Sequence, residues 1–156
     1  MKKSGFNGFL TIGELMESNE VDLEIKGVYF VLYVSESHPT FVKPGTGGHF
    51  NGKDPNVPID VLKKKWVDET KVIYIGKGGE KGKESTLHSR LSDFLDFGQG
   101  KKVGHWGGRY IYQIEEPKDL VVCWKNTNGI EPEDVESNLI TKFISTHCKL
   151  PFGNLI

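Results

Sequence analysis

Cysteine is scarce in this chain of 156 residues, with only Cys123 and Cys148 present. Two thiols make no disulfide framework, and their spacing matches no zinc-ligand pattern, so both read as buried or incidental thiols of a reducing compartment. An excess of charge of one sign is missing too. A formal net charge of −1 argues against coating nucleic acid by bulk electrostatics, so any such binding must come from a local patch. Long hydrophobic runs are absent: the longest, Val28 to Val34, is too short to cross a bilayer. Met1-Lys2-Lys3 leads into Ser4-Gly5-Phe6-Asn7-Gly8 and not into the apolar core of a signal peptide. The expected setting is cytoplasmic, with no membrane partner. No internal repeat or low-complexity linker divides the chain, which reads as one domain, 1–156, long enough to remove roughly two-thirds of its unfolded surface from water.

Glycine, by contrast, is plentiful at 19 residues, which points to tight turns and exposed loops. Thr11-Ile12-Gly13-Glu14 has the form of a capping box, predicting a helix from Ile12 to about Ser18 within an N-terminal extension, 1–25. Val28 to Val34 is apolar on both faces, with Tyr29, Val31 and Tyr33 on one and Val28, Phe30, Leu32 and Val34 on the other, as in a central strand. Residues 35–70 hold five glycine and proline positions between Pro39 and Gly48 alone, then a candidate helix from Ile59 to Trp66, and read as an inserted excursion. Val72 to Gly76 returns as a strand, and Lys77 to Glu84 follows as a loop. Leu87, Leu91, Phe94 and Leu95 recur at helical spacing up to Gly98. Arg109 to Ile114 and Leu120 to Lys125 read as two further strands. Pro132, among Glu131, Glu133 and Asp134, starts a last helix reaching about Cys148.

Several residues carry chemistry. On the last helix Val135, Leu139, Ile140, Phe143 and Ile144 form an apolar stripe, and Glu136 projects into its middle. A carboxylate aimed at a core needs a cation, a backbone donor or a metal. Arg90 flanks the Leu87–Leu91–Phe94 stripe, where its planar fork suits a phosphate or a carboxylate equally. Lys77-Gly78-Gly79-Glu80-Lys81-Gly82-Lys83 lacks the glycine and hydroxyl positions of a nucleotide P-loop, because Lys77 and Glu84 stand there. What remains is charge. From Lys77 to Arg109, seven cations (Lys77, Lys81, Lys83, Arg90, Lys101, Lys102, Arg109) face Glu80, Glu84, Asp93 and Asp96, a net of +3 that fits a local phosphate-backbone surface or an ordinary solvated face. His105 lies in this basic segment. His38, His49, His88 and His147 read as structural, and nothing singles out a Ser or Cys nucleophile.

Gly27-Val28-Tyr29 and Tyr74-Ile75-Gly76, followed in order by Lys77, Arg90-Leu91, Glu136 ahead of Leu139-Ile140, and Asn154 after Pro151, resemble the GIY-YIG nuclease family over nearly the whole of 26–154. The resemblance implies an α+β fold, with a small, mostly antiparallel central sheet of three or more strands flanked by helices. It implies a metal-dependent endonuclease acting on DNA, with nothing in the residues separating RNA from DNA. Glu136 would be the protein ligand of Mg²⁺ (or Mn²⁺), which keeps most of its waters. Arg90 would hold the phosphate, Tyr29 would take the proton of the attacking water directly or through a relay, Tyr74 would position water or phosphate, and Asn154 would orient the site. Lys77 or His105 would assist; Lys77, Lys81, Lys83, Lys101, Lys102 and Arg109 would bind substrate. Two points stand apart from the family's pattern: its histidine or lysine near the arginine varies, which leaves both Lys77 and His105 as candidates, and the two tyrosines stand 45 positions apart, from 29 to 74, where the family's lie much closer. Residues 35–70 therefore read as an insertion in the first hairpin whose surface suits substrate or a protein partner. The competing readings are a non-catalytic nucleic-acid-binding or scaffold module with the same fold, and an acid-lined small-molecule site.

Overall fold

The computed structural model describes residues 1–18, 23–82 and 84–155. Four strands form one antiparallel sheet: β1 (Asn7–Thr11), β2 (Gly27–Leu32), β3 (Val72–Gly78) and β4 (Val121–Asn126), in the order β1-β4-β2-β3. Four helices flank it: α1 (Ile12–Glu17), α2 (Ile59–Lys65), α3 (Leu87–Gly98) and α4 (Pro132–His147). The chain is a small α+β fold. Among the described residues, no helix is long and apolar enough to cross a membrane.

The two-faced apolar run explains the layering. β2 is buried along its whole length; Tyr29 and Val31 join a core shared with α1, α2 and α3, while Val28, Phe30 and Leu32 join a second core under α4. Alternation along a strand covered on both faces produces two cores from one sequence. The Thr11 capping box is present, with Glu14 N–H donating to Thr11 Oγ1 at 3.0 Å and Thr11 N–H to Glu14 Oε2 at 3.1 Å. Thr86 and Ser89 form the same device at the start of α3, and Pro132 occupies the first turn of α4.

Three expectations need correction. Residues 109–114 are not a strand: Trp106–Gly108 and Ile111–Gln113 are single 3₁₀ turns, and only Ile114 makes a bridge, to Phe41. An apolar run this short has no periodicity that separates a strand from a buried turn, and here the Gln113 side chain takes the backbone partners a strand would have used, donating to Val42 O and Val57 O and accepting from Val57 N–H. Lys77 is not in a loop, because β3 continues through Gly78. The N-terminal segment also supplies an unforeseen strand, β1, paired with β4. Its alternation is broken by a bulge at Gly8–Leu10 and by positive φ at Gly8 and Phe9, where the missing Cβ of Gly8 lets the Trp124 ring lie on the backbone.

Candidate active site

Strand register brings the two tyrosines together. Tyr29 pairs with Gly76 and Val31 with Tyr74 across β2 and β3, and a bulge at Ile73 places Ile73 and Tyr74 in the same core. A Cβ on Gly76 would stand 2.5 Å from Tyr29 Cζ, so the glycine of the second tripeptide is the floor on which the first tyrosine lies. Gly27 is similarly closed in, with Leu87 Cδ1 2.8 Å from where its Cβ would be.

Tyr29 is fully buried, and its hydroxyl lies 3.2 Å from His105 Nε2. His105 Nδ1 accepts the Gly108 N–H at 3.1 Å, so the hydrogen of the neutral ring sits on Nε2 and is donated to Tyr29. Burial, then the Arg90 charge, pulls the His105 pKa down to about 3 and keeps the ring neutral. The Tyr29 ring packs against Tyr74, with centroids 5.8 Å apart, and both phenols lie in the field of Arg90. Burial raises both phenols, Tyr29 well above the ordinary value, while Arg90 opposes the rise in each. The donors form a string from Gly108 through His105 to the Tyr29 oxygen.

Tyr74 opens onto a pocket of about 350 Å³ whose walls include Lys77, Gly79, Arg90, Asp93 and Glu136. Lys77 Nζ lies 3.2 Å from Glu136 Oε2 and 3.7 Å from Glu133 Oε1. Glu136 is not aimed at the core, as the helical projection suggested, but sits at the pocket wall with its side chain 19% exposed. A projection fixes a side chain's azimuth and not how far the covering sheet reaches along the helix; Ile144, on the same stripe, is also left outside at 41%. Burial raises the Glu136 pKa and Lys77 holds it back. Its cation partner is thus Lys77, one of the compensations a half-buried carboxylate requires.

Asn154 reaches the site through the backbone. Its side chain accepts from Ile75 N–H at 3.0 Å and donates to Ile75 O at 2.9 Å, while Gly153 N–H donates to Ile73 O at 2.7 Å. These bonds close the outer edge of β3, beyond which no strand lies among the described residues.

The expected substrate cations do not form one patch. Lys77 faces the pocket, and Lys81 and Lys102 are exposed. Lys101 is bound to Asp96 at 2.9 Å on the wall of a separate cavity under α1. Arg109 stacks on Trp106, and Lys83 lies outside the described residues. Sequence reasoning missed Ser89 and Asp93 as pocket residues, although Asp93, one turn from Arg90, could have been found by helical spacing.

Among the described residues no three His, Cys, Asp or Glu side chains form a metal-binding group. Glu136 with carboxylate Asp93 in the same pocket fits a hard cation that takes most of its shell from water and substrate oxygens. No family model, no curated protein and no solved structure matches this chain.

Proposed function

We propose that the protein is a GIY-YIG-type endonuclease that hydrolyses phosphodiester bonds in DNA with the help of Mg²⁺ or Mn²⁺. The observation supporting this is the convergence of Tyr74, Lys77, Arg90 and Glu136, from β3, α3 and α4, on one open pocket. Phosphodiester hydrolysis needs three things: a water that loses a proton, charge on the non-bridging oxygens neutralised, and a leaving oxygen assisted. Glu136 would hold the cation, which would supply Lewis-acid stabilisation of that charge. Arg90 offers the planar fork that grips phosphate oxygens. Lys77 favours the carboxylate form of Glu136 against the effect of burial and brings a second positive charge to the same wall.

Tyr29 serves the proton step through Tyr74 and not directly, since its hydroxyl has no path to solvent. Tyr74 acts as its phenolate, its own proton having gone to solvent water; the Arg90 charge favours that anion against burial. The phenolate takes a proton from the attacking water as the water oxygen bonds to phosphorus and the bond to the leaving oxygen breaks, that oxygen taking a proton from solvent. His105 donates to the Tyr29 oxygen and fixes the orientation of that ring beside Tyr74.

The test is incubation with supercoiled, linear, branched and single-stranded DNA and with RNA, in Mg²⁺ and in Mn²⁺. Glu136→Gln and Arg90→Ala should each lower cleavage by about 10²-fold or more with the fold retained, and Tyr74→Phe should cost more than Tyr29→Phe. Undiminished cleavage in excess chelator removes the metal role. Binding of DNA without cleavage in either metal replaces the enzyme by a non-catalytic binding module.

A further inference from the structure

Outside the pocket, two cations crowd one aromatic ring. The Arg109 guanidinium lies 4.5 Å from the Trp106 ring centroid and 5.0 Å from that of Tyr110, and Lys65 Nζ lies 5.7 Å from the Tyr110 centroid on the same residue. Among the described residues neither cation makes an ion pair. Arg109 Nε–H is buried and meets no acceptor, a cost that a native protein seldom carries without use. Burial and then the Arg109 charge push the Lys65 pKa down, so the pair repels in the unliganded protein. Stacking on the rings holds the guanidinium in place despite this.

The pair adjoins the pocket. A Cβ on Gly107 would stand 3.0 Å from the Tyr74 hydroxyl, so the turn Trp106–Gly108 that leads into Arg109 leans on the phenol at the pocket. Lys65 Nζ donates to Asn154 O at 3.2 Å, and the Asn154 side chain grips Ile75, next to Tyr74. Lys65 is the last residue of α2, inside the segment 35–70 that separates the two tyrosine motifs.

We propose that Lys65 and Arg109 form a second phosphate subsite, which takes a backbone phosphate of the nucleic-acid strand flanking the one bound at Tyr74 and Arg90. This rests on the nuclease reading for the identity of the ligand, though not for its phosphate chemistry. An anion held by both cations relieves their repulsion. The inserted segment thereby brings a lysine to the substrate path.

The experiment measures binding of a labelled DNA duplex against salt, for the wild type, Lys65→Gln, Arg109→Gln, the double variant and Arg109→Lys, each checked for a native denaturation midpoint. A parallel titration with inorganic phosphate follows the Arg109 Nε–H resonance. Each glutamine substitution should flatten the slope of log affinity against log salt by about 0.9, the double variant by about twice that, and Arg109→Lys should retain most of the slope. An unchanged slope in the double variant overturns the subsite even if cleavage persists. If the wild type binds no DNA but phosphate shifts the Arg109 resonance, the nuclease reading fails and the site remains one for a phosphate-bearing small molecule. No DNA binding and no phosphate shift overturn both.

Discussion

His105 offers the sharpest quantitative test, because its environment fixes both the sign and the size of an effect. In the unfolded chain an imidazole titrates near its ordinary value of about 6.5, while in the folded protein burial and Arg90 pull it down to about 3. Between these values the unfolded state binds a proton that the folded state does not. Stability is therefore intact above pH 6.5 and falls as pH drops below it, at about 1.4 kcal/mol per pH unit from this one group. Going from pH 7 to pH 5 should cost about 2 kcal/mol, a large part of the roughly 5–15 kcal/mol of a typical domain. Urea denaturation at the two pH values, on the wild type and on His105→Gln, isolates the term, since the carboxylates titrate alike in both. The variant should lose about 2 kcal/mol less on acidification. Equal losses would falsify the buried neutral imidazole, and with it the donor string to Tyr29.

Two further outcomes concern stability. Asn154→Ala leaves the Ile75 N–H and C=O without partners and should cost about 1–3 kcal/mol; it also uncovers the β3 edge, so size-exclusion chromatography should show more self-association than the wild type shows. Tyr112→Phe should be neutral or stabilising by up to about 1 kcal/mol in denaturant titration, because the Tyr112 hydroxyl is buried with no partner, and a clear loss would mean that the hydroxyl has one.

Much of the fold was legible because its signals are local. Thr11 and Glu14, Pro132 among acids, and the apolar spacing of Leu87, Leu91 and Phe94 depend on neighbours a few residues away, and each marks an element in the structure. The strands that were misread lacked such signals. β1 is broken by a bulge and two positive φ angles, and residues 109–114 spend their apolar side chains on a core without extending. At the site, the residue types and their order were readable but their partners were not. Nothing in the sequence around His105 announces that its ring nitrogen meets Tyr29, 76 positions earlier. Glu136 was recognised as a carboxylate needing a partner, yet that Lys77 supplies it follows only from the packing of α4 on β3.

The separation of the tyrosine motifs is the property that most needs a physical account. A hairpin register is normally fixed by its turn, and here residues 33–71 intervene between β2 and β3. Register is held by other means. β2 is clamped by β4 on its other side, Gly76 is the one residue opposite Tyr29 that leaves room for the phenol, and the Asn154 and Gly153 bonds fasten the outer edge of β3 at Ile75 and Ile73. A slip of one residue would turn Tyr74 to the opposite face and bring a side chain onto Tyr29. Replacing a four-residue turn by this segment raises the loop-closure cost by only about 2 kcal/mol. Packing of Trp66 on Tyr33, Phe41 and Phe152 offsets that cost, at about 0.5–1.5 kcal/mol per aromatic pair beyond the area buried. Once the register no longer depends on the turn, the turn is free to carry Lys65 onto the Tyr110 ring that Arg109 also covers, at almost no loss to the geometry of Tyr29 and Tyr74.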